Sequence, residues 1–155
     1  MVLKTLLAEI EAWGIKRALA FVLGSLFLGL ALDVGIAHFV SGSGGHASQW
    51  IPVWFGGLAG TLLLLVTSLV RSDLLMRGVL IIFGVLSVLV GVVGTVLHGA
   101  PLVSAVQEAG FTSENFVEAL SLHAPPVLAP GAYALLGLAM LVLASPKLEV
   151  QIRLT

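Results

Sequence analysis

Residues 18–40 read ALAFVLGSLFLGLALDVGIAHFV, a long apolar run with one charged side chain, Asp33. An α-helix rises about 1.5 Å per residue, so this run is long enough to cross the roughly 30 Å hydrocarbon core of a membrane. The run closes on His38, and another apolar run closes in the same way on His98. The sequence therefore predicts membrane helices that carry a histidine near one end.

The composition supports this interpretation. Hydrophobic residues make up 59% of the 155-residue chain and charged residues only 10%, whereas a soluble domain has about 25% charged residues. Because so little polar surface cannot cover a globule in water, we predict an all-α integral membrane protein solvated by the lipid bilayer. The net charge of −1 gives no sign of nucleic-acid binding. The chain contains no cysteine, which excludes disulfides and thiolate metal ligands.

Four apolar runs predict a membrane domain over residues 18–145, a bundle of four transmembrane helices at about 18–40, 51–70, 78–97 and 126–145. Residues 1–17 carry leucines at helical spacing, which predicts an amphipathic helix in the membrane interface or a simple lead-in to the first span. Residues 146–155 alternate between apolar and polar side chains. This period of two predicts a cytoplasmic tail that pairs as a strand with a partner or a second copy, or else a frayed end.

The basic residues predict the orientation of the chain. All seven lie within residues 1–17, 71–77 and 146–155, on one side of the predicted membrane domain. The positive-inside rule then places both termini in the cytoplasm and the protein in the plasma (inner) membrane. All four histidines fall on the outer side. So does the amphipathic segment 102–122, which predicts short helices on the outer face, either as a connector or as a lid over the bundle.

The histidines also suggest an internal repeat. His38 and His98 each close an apolar run, while His46 and His123 each precede the next one. Aligning them gives two helical hairpins of the same orientation, related by a pseudo-twofold axis along the membrane normal. This symmetry predicts four histidines in one layer near the outer face. A separate small-residue pattern, Gly56 to Gly60, predicts close helix packing within the bundle or against another subunit.

The histidines make metal or haem binding the leading functional hypothesis. Imidazole binds copper, zinc and iron, and a carboxylate can complete or orient such a site. The predicted metal ligands are His38, His98, His123, His46 and Asp33. A b-type haem is the alternative cofactor, with two of His38, His98 and His123 as axial ligands.

Two further expectations accompany these cofactors. For haem, the glycines near the histidines, Gly35, Gly91 and Gly94, would let a flat ring approach the backbone. For either cofactor, Asp33 is costly inside a span, so we expect it to face the bundle interior and meet another helix, for example at His98 or Thr95.

Several biological roles remain open from the sequence. The leading one is an accessory or electron-transfer subunit of a larger membrane complex, or of a homo-oligomer, that holds its cofactor at the outer face. One rival is a structural subunit whose histidines are incidental, and another is a small transporter or proton channel that uses Asp33 and the histidines. No nucleophilic serine setting or phosphate-binding loop can be recognised, so the sequence does not decide whether the chain is an enzyme.

Overall fold

The computed structural model describes residues 14–40, 47–110, 112–114, 117 and 128–145. The regular elements of this part of the chain are all helices: α1 (Ile15–Val40), a short 3₁₀ helix (Ala47–Trp50), α2 (Ile51–Leu69), α3 (Asp73–Ala109) and α4 (Leu128–Leu143). Most of the predicted interfacial helix 1–17 lies outside the described residues, as do the predicted tail strand, His46 and His123.

Three of these helices are long and apolar enough to cross a membrane: α1, α2 and the part of α3 from Asp73 to Ala100. Only 22% to 33% of their apolar windows is buried inside the protein, so most of this apolar surface faces outward. α4 is also apolar but has only 16 residues, about 24 Å of helix. It is therefore shorter than the span predicted at 126–145.

α3 is longer than the span predicted at 78–97. It has 37 residues, about 55 Å of helix, and it begins after Ser72, whose hydroxyl accepts a hydrogen bond from the amide of Leu75. Residues 102–109, which we predicted to lie in a separate outer segment, continue the same helix. The helix passes Pro101 at the cost of the amide hydrogen bond that proline lacks, and it ends where Gly110 adopts a positive φ of 88°.

The helices pack as two pairs, α1 with α2 and α3 with α4, and glycines set the closest approach in each pair. A Cβ atom on Gly60 would lie 2.7 Å from the carbonyl oxygen of Gly24 in α1. A Cβ atom on Gly137 would lie 2.6 Å from the carbonyl oxygen of Gly84 in α3. Only glycine lets the two backbones come this close. Gly56 and Gly60 are both buried, as the predicted packing face requires.

The two pairs repeat each other position by position. A shift of 60 residues carries Gly24 of α1 onto Gly84 of α3, and a shift of 77 carries Gly60 of α2 onto Gly137 of α4. The first shift carries the buried positions of α1 onto buried or half-buried positions of α3: Ala20, Gly24, Phe27, Ala31, Val34 and His38 onto Leu80, Gly84, Ser87, Gly91, Gly94 and His98. The same two shifts relate the histidines that the sequence aligned, because His38 maps onto His98 and His46 onto His123.

Aromatic side chains fill the contact between the two pairs. The ring of Tyr133 on α4 packs against Phe27 of α1 at a centroid distance of 5.9 Å and against Phe55 of α2 at 6.1 Å. Phe55 also packs against Phe83 of α3 at 6.2 Å. All four helices therefore meet in one aromatic layer, which lies below the histidines.

Arg17 holds the opposite end of the fold together. It lies in the first turns of α1 and donates hydrogen bonds to the carbonyl oxygens of Thr67 and Val70 at the end of α2. It also lies 3.4 Å from a carboxylate oxygen of Asp73, at the start of α3. A cation at this place is favoured because the carbonyl end of a helix carries partial negative charge.

Candidate functional site

His38 and His98 line the same cavity, which has a volume of about 80 Å³. His38 lies in the last turn of α1 and is only 7% exposed, while His98 is half-buried on α3. All four helices contribute to the lining, because Pro52 of α2 and Tyr133 of α4 also face this space. The structure thus brings together the two histidines that the repeat relates.

His98 offers a free nitrogen to this region. Its Nδ1 atom is buried and has no hydrogen-bond partner within the described part of the chain. A buried polar atom left without a partner costs about 1–3 kcal/mol. Nδ1 can bind a metal ion when the ring is neutral and this nitrogen carries no proton. A ligand that binds at this nitrogen would therefore recover part of that cost.

The ring of His38 packs against Trp50. The two ring centroids are 6.4 Å apart and the planes are inclined by 53°. Trp50 ends the 3₁₀ helix that leads into α2, so this short helix helps to orient the imidazole. In the second helix pair, the position equivalent to Trp50 is Val127, which has no indole ring.

Tyr133 was missed by the sequence reasoning and forms part of the cavity wall. Its hydroxyl donates a hydrogen bond to the carbonyl oxygen of Pro52 at 2.8 Å. Its own carbonyl oxygen accepts one from the hydroxyl of Ser87 at 2.6 Å. These bonds link α4 to α2 and α3 beside the cavity. One signal was available in the sequence, since Tyr133 is the only tyrosine of the chain and lies in a predicted span.

The structure does not bring Asp33 to the cavity. Asp33 is exposed on α1, although its neighbour Val34 is buried and lines the cavity. The reason is helical geometry, because five residues at 100° each turn Asp33 about 140° away from His38. The expected partners on α3 do not meet it either. The hydroxyl of Thr95 instead donates to the carbonyl oxygen of Gly91 in its own helix, at 2.8 Å.

The glycines expected to admit a haem ring are used for helix packing. A Cβ atom on Gly91 would collide with the backbone of α4 at Ala134, and one on Gly94 would lie 2.8 Å from the side chain of Pro130. A Cβ atom on Gly35 would lie 3.6 Å from Val53. α4 therefore already fills the space beside Gly91 and Gly94, whereas a side chain at Gly35 would make only ordinary contacts.

The chemistry available at the cavity is that of two imidazoles. Among the described residues, no group of three or more histidine, cysteine, aspartate or glutamate side chains is placed to hold a metal ion. His38 and His98 can supply two nitrogen ligands in a largely apolar surrounding. Further ligands would have to come from water or from His46 and His123, which lie outside the described residues.

Comparison with known proteins adds nothing to this geometry: no protein-family model, no curated protein and no solved structure matches the chain.

Proposed function

We propose that the chain is a four-helix integral membrane protein, built from two related helical hairpins, that binds a transition-metal ion between His38 and His98 near its outer face. One observation carries this proposal: two histidines at equivalent positions of a repeated fold line one cavity. The buried Nδ1 atom of His98, which has no hydrogen-bond partner within the described part of the chain, also supports a ligand at this place. The proposed ion is copper, zinc or iron, all of which imidazole binds.

The packing of α4 supports a fourth crossing of the membrane. α4 is short, but it runs beside α3, and Gly84 faces Gly137 in their contact. The part of α3 from Asp73 to Ala100 is long and apolar enough to span. A helix that packs along this part lies at the same depth in the bilayer. Its exposed side chains Leu135, Leu138 and Val142 are apolar, as lipid contact requires.

The charges support an orientation with the histidines outside. Lys16, Arg17, Arg71 and Arg77 all lie near the end of the helices that is opposite His38 and His98. By the positive-inside rule, we assign this basic end to the cytoplasm. A bound ion would then lie near the outer surface of the plasma membrane. Copper or iron there would let an electron-transfer subunit of a larger complex exchange electrons with an external partner, whereas zinc, which has no redox chemistry, would suit an accessory subunit.

A small ion suits the cavity better than a haem group. One buried water needs roughly 10–15 Å³ of such space, so a cavity of about 80 Å³ has room for an ion and a few water ligands. A porphyrin would need α4 to move away from Gly91 and Gly94, against which it packs. His46 and His123 remain proposed additional ligands from the sequence alone.

The transporter alternative has less support. It requires Asp33 and the histidines on one path, but Asp33 is exposed on α1 whereas His38 is buried beside the cavity. A carboxylate on the outward face of α1 cannot exchange protons directly with imidazoles on the inward face. Asp33 is therefore not part of the proposed metal site.

Metal analysis of the purified full chain tests this proposal. The chain is prepared in detergent with an affinity tag that contains no histidine, and its content of copper, zinc and iron is measured beside its absorption spectrum. We expect about one ion per chain and no Soret band. His38→Ala and His98→Ala should each weaken binding of the added ion by tenfold or more, because each removes one of the nitrogen ligands.

Two variants serve as controls. Asp33→Asn and Thr95→Val should bind the ion as the unchanged chain does, because neither side chain lines the cavity. His46→Ala and His123→Ala would show whether these two residues complete the ligand set. A Soret band would show that the bound cofactor is haem instead of a single metal ion. Equal metal binding by the His38 and His98 variants would instead support a structural subunit with incidental histidines.

A further inference from the structure

The two imidazoles reach the cavity from opposite sides of the bundle. α1 packs against α2 and α4, and α3 packs against the same two helices, so α1 and α3 lie diagonally across the bundle from each other. His38 on α1 and His98 on α3 both line the cavity between them. An ion bound by both rings would therefore have its two nitrogen ligands on opposite sides.

The rest of the cavity wall is largely apolar, with residues such as Val34 and Val90. Among the described residues that line it, only Tyr133 offers a further side-chain heteroatom, and its hydroxyl already donates a hydrogen bond to the carbonyl oxygen of Pro52. No carboxylate belongs to this described wall, since Asp33 is exposed on the outward face of α1. Histidine binds a metal in its neutral form. The described wall therefore supplies two neutral nitrogen ligands and no negative charge.

These ligands suit a divalent ion poorly. Zn²⁺ is almost always held by four ligands in a tetrahedron, and Cu²⁺ prefers a square-planar or tetragonal set. Water could complete such a set only with partners of its own, because a buried water makes about 2–4 hydrogen bonds and the wall offers few. The cost of burying a charge rises with its square, so a divalent ion costs about four times as much as a monovalent one.

We propose that the site selects Cu⁺, held in a nearly linear arrangement between His38 and His98. This inference rests on the proposed function, because it names the ion of the same site. Cu⁺ has a filled d shell and is stable with two ligands on opposite sides, and imidazole is a copper ligand. Its single charge also lowers the cost of placing it among apolar side chains.

Both imidazoles are already prepared for such an ion. Nδ1 of His98 is buried without a hydrogen-bond partner in the described part of the chain, so binding there breaks no bond within that part. The ring of His38 packs against the indole of Trp50 and the residue is only 7% exposed, which limits the access of water to this ligand. Both features favour an ion that needs no further water ligands.

The arrangement also bears on the role of the bound copper. Oxidation to Cu²⁺ would call for ligands that the described wall does not supply, so the site would hold copper in its reduced form. A subunit that stores Cu⁺ or passes it on near the outer face therefore fits this site better than one that exchanges electrons.

Anaerobic titration of the full chain in detergent, with an affinity tag that contains no histidine, tests the choice of ion. Cu⁺ is added together with a coloured chelator that competes for it, and Zn²⁺ is titrated in parallel with its own indicator. We expect about one Cu⁺ per chain and binding of Zn²⁺ that is weaker by about tenfold or more. X-ray absorption at the copper edge should show Cu⁺ with two nitrogen neighbours.

Two outcomes separate this inference from the proposed function. Zn²⁺ or iron bound through His38 and His98 as tightly as Cu⁺, or copper with three or more nitrogen neighbours, would overturn the inference and leave the proposed function standing. A chain that binds none of these ions would overturn both. These measurements use the unchanged chain, so they do not depend on the folding of a variant.

The other two histidines provide matched variants. His46→Ala and His123→Ala should leave the affinity for Cu⁺ and the copper-edge spectrum unchanged, as should Tyr133→Phe. His38→Ala and His98→Ala should each weaken Cu⁺ binding by about tenfold or more, because each removes one of two ligands. Weaker Cu⁺ binding by His46→Ala or His123→Ala would reveal a third nitrogen ligand and overturn the two-ligand arrangement.

Discussion

The hydroxyl of Tyr133 occupies the space that a side chain at Gly56 would need. These two residues stand at equivalent positions of the two helix pairs, since the shift of 77 carries one onto the other. A large residue in the second pair therefore fits into the place that a small residue leaves open in the first. Phe27 and Ser87 show the same exchange in the opposite direction, with the large residue in the first pair and the small one in the second.

Replacing Gly56 by alanine should destabilise the fold. The new methyl group would collide with Tyr133 and lie 3.0 Å from the Cβ of Ala31, and overpacking of this kind costs about 1–3 kcal/mol. Thermal unfolding in detergent, followed by circular dichroism, measures the change. Gly57→Ala provides the control because no atom lies within 4 Å of a Cβ at that position. Equal losses in both variants would contradict the packing.

Replacing Tyr133 by phenylalanine should have a smaller effect. The ring would keep its contacts with Phe27 and Phe55, while the hydrogen bond to the carbonyl oxygen of Pro52 would be lost. Such bonds between membrane helices contribute about 0.6 kcal/mol on average. We expect a loss of this order in the free energy of unfolding. Tyr133→Ala, which also removes the ring, should cost several times more.

The repeat makes a prediction about matched glycines. Gly60→Ala and Gly137→Ala should cost similar amounts of stability, because each introduces a methyl group against a glycine carbonyl of the neighbouring helix. We expect about 1–3 kcal/mol for each. Gly131→Ala, on the same helix as Gly137, should be nearly neutral because it meets nothing within 4 Å. A large loss in only one of the matched pair would show that the two contacts are not equivalent.

Arg17 should matter more than its counterpart Arg77. Arg17→Gln removes hydrogen bonds to the carbonyl oxygens at the end of α2, and a bond to a charged group contributes about 1.5–3 kcal/mol. Arg77 is exposed, so Arg77→Gln should leave the unfolding temperature unchanged. Asp73→Asn should also change little, because Asp73 is 83% exposed and exposed ion pairs contribute little. The three unfolding temperatures, measured in one detergent, decide the comparison.

Much of the helical architecture could be predicted from the sequence, because long apolar runs leave few alternatives to a helix. The bounds of α1 and α2 follow the predicted runs closely. The end of α3 did not follow the prediction, since Gly99 and Pro101 resemble a helix end although the helix continues to Ala109. Local helix-breaking signals compete here with the continuous backbone hydrogen bonding of a long helix, and this balance cannot be read from residue types.

The candidate site was predicted in part. Aligning His38 with His98 implies a shift of 60 residues, and aligning His46 with His123 implies a shift of 77. The same two shifts relate the buried positions of α1 to those of α3 and the buried positions of α2 to those of α4. The convergence of His38 and His98 on one cavity follows from the symmetry. The contribution of Tyr133 depends on its fit against Gly56, which only the packing of α2 with α4 reveals. Asp33 was expected to point inward, because a carboxylate within one isolated chain should avoid lipid. Asp33 is instead exposed on α1.

The unbroken length of α3 has a mechanical consequence. One rod of about 55 Å runs from Asp73 at the basic end, past His98, to Ala109 near the start of the connection that leads to α4. A continuous helix transmits movement of one end along its length. Movement of either end of α3 would therefore shift His98 relative to His38, which is held on a different helix. The geometry of the two imidazoles is thereby coupled to both ends of α3.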